Sequence, residues 1–178
     1  MTNHPHTASR FCMHCGGELA AGRPKGDNRE RLICGSCGFV HYLNPRPVAG
    51  TIPVRADGSL LLVRRAIEPR LGYWVFPGGF IDVGETAEEA ASRETREEAL
   101  LEVEALSLLG VYTRTGPGVI VIVYEATALG EASAGDETSE VGWFAPEAIP
   151  WDDLAFDTTH WALEEWLRRR GLERLRPA

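Results

Sequence analysis

Glu94, Glu97 and Glu98 fall within five residues of one another in the stretch PGGFIDVGETAEEAASRETREEALLEV, Pro77 to Val103. Thr86-Ala-Glu-Glu89 has the pattern of a capping box, which predicts a helix beginning at about Ala87. At about 100° per residue, Ala87, Ala91, Glu94 and Glu98 share one face, flanked by Ala90 and Glu97. Glu88, Glu89, Arg93 and Arg96 occupy the other side, so Glu94 and Glu98 lie on the stripe expected to face inward. A charged face turned to solvent is the plainer alternative. Like charges held close together at low effective dielectric repel strongly, and a divalent cation removes that cost. Carboxylate oxygens select hard ions, so Mg²⁺ or Mn²⁺ is the expected cofactor. Pro77-Gly78-Gly79 precedes the helix, and its glycines permit close approach of a ligand, so a backbone carbonyl there could serve as a further metal ligand. Cations held this way and sharing phosphate oxygens hydrolyse phosphoanhydrides without a covalent protein nucleophile. That agrees with the lack of an evident Ser/His/Asp or Cys/His set outside the cysteine-rich segment.

Cys12-Met-His-Cys15 and Cys34-Gly-Ser-Cys37 form two CxxC knuckles separated by 18 residues. Four thiolates on two facing turns suit tetrahedral zinc, and glycines after each knuckle let the backbone turn around the metal. The surrounding segment is too polar to build a core, so a metal would supply its stability. A pair of disulfides in a secreted domain is the alternative, and the polar start MTNHPHTASR shows no signal peptide to support it. A cytoplasmic protein is expected.

The elements that must position these groups follow from the rest of the chain. Its 178 residues allow one ordinary domain plus a small appendage. The predicted division is 1–45 for the zinc ribbon and connector and 46–178 for the main domain. VAGTIPV, an Asp57-Gly58 turn and LLLVRRA read as a hairpin, and Leu71–Phe76 as a short strand. VEALSLLGVYTR and VIVIVYEATAL form a second hairpin about Gly116-Pro117-Gly118. Gly130–Ser139 is a polar loop and Glu140–Phe144 a strand. Thr158–Arg170 is a second helix, with Asp157 as its N-cap and Gly171 as its stop. This order predicts an α+β sandwich. Net charge is −8 overall, divided into +2 over residues 1–45 and −10 over the remainder. An acidic main body argues against nucleic-acid binding, and no apolar run is long enough to span a bilayer.

Gly79, Glu85, Arg93, Glu94, Glu97 and Glu98 fall at the spacing Gly-x5-Glu-x7-Arg-Glu-aliphatic-x-Glu-Glu-x-Gly-aliphatic, ending at Leu101. This stretch resembles the Nudix box. Thr95 departs at an aliphatic position and Leu100 at the box glycine, where a left-handed conformation costs leucine about 1–2 kcal/mol. The resemblance implies a Nudix-type α/β/α sandwich around a mixed sheet. It implies Glu94, Glu97, Glu98 and the Gly78 carbonyl as Mg²⁺ or Mn²⁺ ligands, and Arg93 paired with Glu85 in a structural role. It also implies a further acid from a later loop, with Glu140 the first candidate and Glu137 the second, and a homodimer.

Together with the ribbon, the YLNPRP connector and IPWDDLAF, the box is similar to zinc-ribbon Nudix hydrolases that cleave FAD or ADP-ribose. The motif that follows the box in NADH pyrophosphatases is absent between Leu101 and Leu129, which puts NADH or NAD-capped RNA second. A non-catalytic nucleotide sensor is the rival of another class, and the retained carboxylates favour catalysis. Trp74, Phe76 and Tyr112 are candidates to stack on a substrate ring, and Arg114 to pair with a phosphate, with packing or solvation the alternative for each. The expected activity is metal-dependent hydrolysis of a small-molecule dinucleotide or nucleotide-sugar pyrophosphate, releasing a nucleoside monophosphate.

Overall fold

The computed structural model describes residues 9–173. The described chain divides into two compact units, one running to Pro45 and including Thr115–Gly118, the other comprising Arg46–Arg114 and the residues from Val119 onward. The first carries a three-stranded antiparallel sheet of β1 (Leu19–Gly22), β2 (Arg31–Cys34) and β3 (Val40–His41), in the order β1-β2-β3. These strands are only partly buried, as their polar sequence predicts.

The second unit is built on a seven-stranded mixed sheet. Its strands are β4 (Arg46–Val54), β5 (Leu60–Arg65), β6 (Trp74–Val75), β7 (Gly78–Phe80), β8 (Glu102–Arg114), β9 (Val119–Leu129) and β10 (Thr138–Phe144). The main path is β10-β5-β4-β9-β8, with β6 paired to β5 and β7 to β4. β4 and β9 run parallel over nine residue pairs, and the other pairings are antiparallel. Helix α1 (Ala87–Ala99) and helix α2 (Asp157–Arg169) cover opposite faces of this sheet.

Alternation along the strands produces the two faces. On β5, Leu60 and Leu62 join Ala162, Leu163, Trp166 and Leu167 of α2, whereas Leu61 and Val63 join Ala99 at the end of α1. Ala90 and Ala91 of α1 meet Ala49 of β4 and Tyr124 of β9, and their small side chains let the helix lie close to the sheet. Thr95 is fully buried there. Its hydroxyl donates to the Ala91 carbonyl at 2.7 Å, which leaves its oxygen to accept from Thr51 at 2.6 Å. A polar residue thus fills the aliphatic box position with its hydrogen bonds satisfied.

Several sequence expectations shift in the structure. The β4–β5 hairpin pairs only beside its turn, Val54 with Leu60, because β4 takes β9 and β7 as its main neighbours. The strand expected over Leu71–Phe76 contracts to Trp74–Val75. The strand expected from Glu140 begins at Thr138. Asp157 is the first residue of α2 rather than its N-cap; Phe156 takes the cap position with no side-chain hydrogen bond. The capping box of Thr86 and Glu89 forms, and α1 ends with Leu100 in the left-handed conformation at φ 46°. Among the described residues, no helix is long and apolar enough to cross a membrane.

Candidate active site and metal centre

Helix α1 delivers three acids to the wall of one cavity of about 940 Å³: Glu94, Glu97 and Glu98. Glu98 is 7% exposed, the most enclosed of the three. The Gly78 N–H donates to its Oε2 at 2.9 Å, so the start of β7 and the helix's last turn meet at this carboxylate. Gly78 and Gly79 line the same cavity. A Cβ at 79 would displace the Glu94 carboxylate, so glycine there leaves that acid its place on the cavity wall.

Arg93 organises the near side. Its guanidinium donates twice to Glu85, at 2.8 and 3.2 Å, and once to the Phe80 carbonyl at 3.0 Å. Its Nη1 stands between Glu94 and Glu97, at 2.8 and 3.0 Å. Glu85 in turn accepts the Asp82 N–H at 2.7 Å. One planar cation therefore fixes the loop to the helix and aligns two acids. It holds Glu85 below the usual carboxylate range.

The deeper acids behave differently. Burial pushes the Glu98 carboxyl up to about 7, against the lowering effect of the Gly78 N–H; the charges of Glu94 and Glu137 push it upward and Arg65 opposes them. Burial also raises Glu94, against Arg93, with Glu97 and Glu137 adding repulsion. Two carboxyls are held where ionisation is disfavoured, a condition that a divalent cation relieves. The donors are all oxygen and the cavity is open to a ligand, which fits Mg²⁺ or Mn²⁺. The carboxylates are less tightly gathered than the thiols described below, the only group among the described residues with three or more ligand atoms mutually within 4.8 Å.

Of the two loop acids named from sequence, Glu137 is the one that lines the cavity with the helix acids. It lines the cavity with Asp136, Gly135 and Ala134. Glu140, the first candidate from sequence, pairs across the sheet with Arg64 at 3.3 Å and lies outside the cavity wall. A register shift between Thr138 and Glu140 separates the two positions, as β-bulges near active sites commonly do.

The proposed substrate-contacting residues also lie elsewhere. Trp74 and Phe76 are 5% and 4% exposed and belong to the main core, with Trp74 edge-on to Phe144. Their apolar area is already spent on packing, so neither presents a ring to the cavity. Tyr112 stands beside Trp161 in a separate cleft of about 380 Å³ between β8 and α2. Arg114 pairs with Asp157 at 3.5 Å. The aromatic residue that does line the acidic cavity is Phe80, half-exposed, with the Arg46 guanidinium 4.4 Å from its ring centre. Its place directly after Gly78-Gly79 was the available sequence signal. Arg65 and Arg96 also line the cavity; Arg96 is held by Glu102, whereas Arg65 donates to the Pro69 carbonyl at 2.8 Å and has no carboxylate within ion-pair distance among the described residues.

In the ribbon the four cysteines converge. Their sulfur atoms all lie within 4.8 Å of one another. Cys12 and Cys37 are 3.8 Å apart, and Cys15 and Cys34 are 3.5 Å apart. Those distances are too long for disulfides. They fit a tetrahedron with Zn–S bonds of about 2.3 Å, whose edges are about 3.8 Å. The Cys37 and Ser36 N–H groups lower the Cys34 thiol to about 6, the Cys37 amide contributing most. The Phe39 amide pulls Cys37 down, but Cys15, burial and Cys34 outweigh it and push that thiol up to about 12. Four crowded thiols resist shared ionisation, and a bound cation resolves the conflict.

Comparison with known proteins places this geometry in a family. An ADP-ribose pyrophosphatase of Methanocaldococcus jannaschii is 40% identical over 121 residues, spanning 65% of this chain and 70% of its own length. A NAD-capped RNA hydrolase NudC of Vibrio atlanticus is 28% identical over 83% of this chain, and the chain spans only 53% of that relative. The crystal structure of a NUDIX hydrolase from Nitrosomonas europaea superposes with a TM-score of 0.84 at 36% identity, covering 94% of this chain and 96% of that one. The NUDIX domain model matches residues 44–167, and the Nudix N-terminal model, a zinc ribbon, matches residues 10–43. The chain therefore belongs to the Nudix hydrolase family and carries that family's N-terminal ribbon.

Proposed function

We propose that the protein hydrolyses the pyrophosphate bond of a nucleoside diphosphate linked to another moiety, of the ADP-ribose or FAD type, and releases a nucleoside monophosphate. The observation that carries this reading is the meeting of Glu94, Glu97, Glu98 and Glu137 on one cavity, with Glu98 buried and its carboxyl raised to about 7. Glu94, Glu97, Glu98 and the Gly78 carbonyl would hold Mg²⁺ or Mn²⁺. When bound, the ion offsets the charge of the diphosphate and makes water more acidic.

The chain's own groups do the rest. Glu137 reaches the cavity from the loop that packs on the end of α1 and takes a proton from the attacking water at its carboxylate. Arg65, not committed to a carboxylate, supplies positive charge to the diphosphate. Phe80 offers a ring face at the cavity wall for a base or flavin. Arg93 stays on Glu85, Glu94 and Glu97 and keeps these acids from turning away. The cysteine quartet holds structural zinc, which requires reduced thiols and accords with a cytoplasmic setting.

A second reading has one observation in its favour: the likeness to the NAD-capped RNA hydrolase covers 83% of this chain. NADH or NAD-capped RNA is then the substrate. Purified protein offered ADP-ribose, FAD, NADH and NAD-capped RNA in Mg²⁺ or Mn²⁺ separates the two. The proposal expects ADP-ribose or FAD to be cleaved fastest, with AMP as a product. Preference for NADH or the RNA cap supports the second reading. Failure to cleave any of them with either ion replaces catalysis with nucleotide sensing.

A further inference from the structure

The last turn of a helix leaves carbonyl groups without helical partners. In α1 two of these carbonyls, those of Glu98 and Ala99, are satisfied from the loop that carries Glu137. The Ser133 N–H donates to the Ala99 carbonyl at 2.9 Å, and the Gly135 N–H to the Glu98 carbonyl at 3.0 Å. The Thr138 hydroxyl donates to the same Glu98 carbonyl at 2.7 Å and accepts the Gly135 N–H at 2.9 Å. Thr138 is 7% exposed, so these bonds are made out of water. Gly135 has no room for a side chain, because a Cβ would collide with the Glu97 carbonyl. On its other side the loop is tied to the strand: the Ala66 N–H donates to the Glu137 carbonyl at 2.9 Å, and Thr138 pairs with Arg65.

Glu137 thus sits between two anchors, one on β5 and one on the backbone of Glu98. The helix-end anchor stands where the box glycine would otherwise terminate the helix, and Leu100 takes the left-handed conformation beside it. We propose that Thr138 is a positioning residue, whose buried hydroxyl locks the Glu137 loop to the backbone of Glu98 and so sets the spacing of acids that arrive from two distant parts of the chain. The inference rests on the functional reading above, because it assumes that these acids share a divalent cation.

The test uses Thr138→Val, which keeps the shape and removes the hydroxyl, and Thr138→Ser, which restores it. Mn²⁺ binding is followed by electron paramagnetic resonance of the free ion, without substrate, and turnover of ADP-ribose or FAD is measured separately. Removal of an outer hydrogen-bond partner weakens metal affinity about 10–100-fold, so Thr138→Val should weaken Mn²⁺ binding at least about tenfold. It should lower kcat by a similar factor and leave KM within about twofold. Thr138→Ser should restore both. Thr95→Val, which removes a different buried hydroxyl from α1, controls for lost stability and should leave Mn²⁺ binding unchanged. If Thr138→Val does not fold, Thr138→Ala takes its place. Wild-type Mn²⁺ affinity and kcat in the hydroxyl-free variant overturn the inference, as does a serine variant equally impaired. Glu98→Gln in the same assays keeps the two ideas apart: if it binds Mn²⁺ and turns over normally, the functional reading itself fails.

Discussion

The ribbon and the acidic cavity both gather ionisable side chains that repel one another, but they do so by different means. In the ribbon, two knuckles place four sulfur atoms within 4.8 Å of one another, and each knuckle is a local turn of four residues. In the cavity, Glu94, Glu97 and Glu98 come from one helix and Glu137 from a loop some 40 residues further on. There the spacing is kept by Arg93, by the Gly78 N–H and by the hydrogen bonds that clamp the loop to the end of α1. A structural metal site can be closed and local. A hydrolytic site must stay open on one side, so its ligands need support from outside the ligand set.

The largest expected effect separates the two sites by their chemistry. Glu98→Gln should cut kcat at least about 100-fold, the typical loss for a group that stabilises transition-state charge, and should leave zinc content unchanged. Glu140→Gln, which breaks only an exposed pair with Arg64, should stay within about twofold. If the two variants lose activity equally, the assignment of the loop acid to Glu137 is wrong. The reciprocal variant, Cys34→Ser, should lose bound zinc by elemental analysis and make the ribbon the first point of proteolysis. Structural zinc contributes on the order of 10 kcal/mol to such small modules.

A smaller effect comes from pH. In protein stripped of divalent ions, folded Glu98 keeps its proton up to about pH 7, whereas the unfolded chain releases it near 4.5. The folded state binds more protons across that window, so stability falls as pH rises through it and levels off above about 7. Urea melts of wild type and Glu98→Gln should diverge across this range by about 3 kcal/mol. Saturating Mg²⁺ should abolish the divergence, because the ion replaces the proton. Parallel melts would show that Glu98 does not titrate in the cavity.

The smallest effect concerns a buried hydroxyl pair between α1 and β4. Thr95→Val leaves the Thr51 hydroxyl without its partner, which costs about 1–3 kcal/mol of stability. Thr51→Val combined with Thr95→Val removes both groups and should recover most of that loss. A double variant no better than the single one would mean that lost packing dominates, not the orphaned hydroxyl.

Much of this was legible in the sequence because it is local. The capping box, the inward stripe of Glu94 and Glu98 and the cysteine knuckles depend on residues only a few positions apart. The hidden parts depend on long-range contacts. Glu137 and Glu140 are both acids near one strand start, and only a register shift sends one to the cavity and the other to Arg64. Trp74 and Phe76 suit ligand stacking by residue type, but their burial was decided by Phe144 and by α2, far along the chain. Phe80 was passed over although it adjoins the glycines that line the cavity.

The central claim is that the inward acids of α1 hold a divalent cation that a diphosphate can share. Anomalous scattering from crystals grown with Mn²⁺ and a non-hydrolysable ADP-ribose analogue tests it most directly. The account predicts manganese within coordination distance of Glu94 and Glu98, with diphosphate oxygens on the same ion and Glu137 facing it. A cavity with no manganese, or manganese bound only to acids outside it, would contradict the claim.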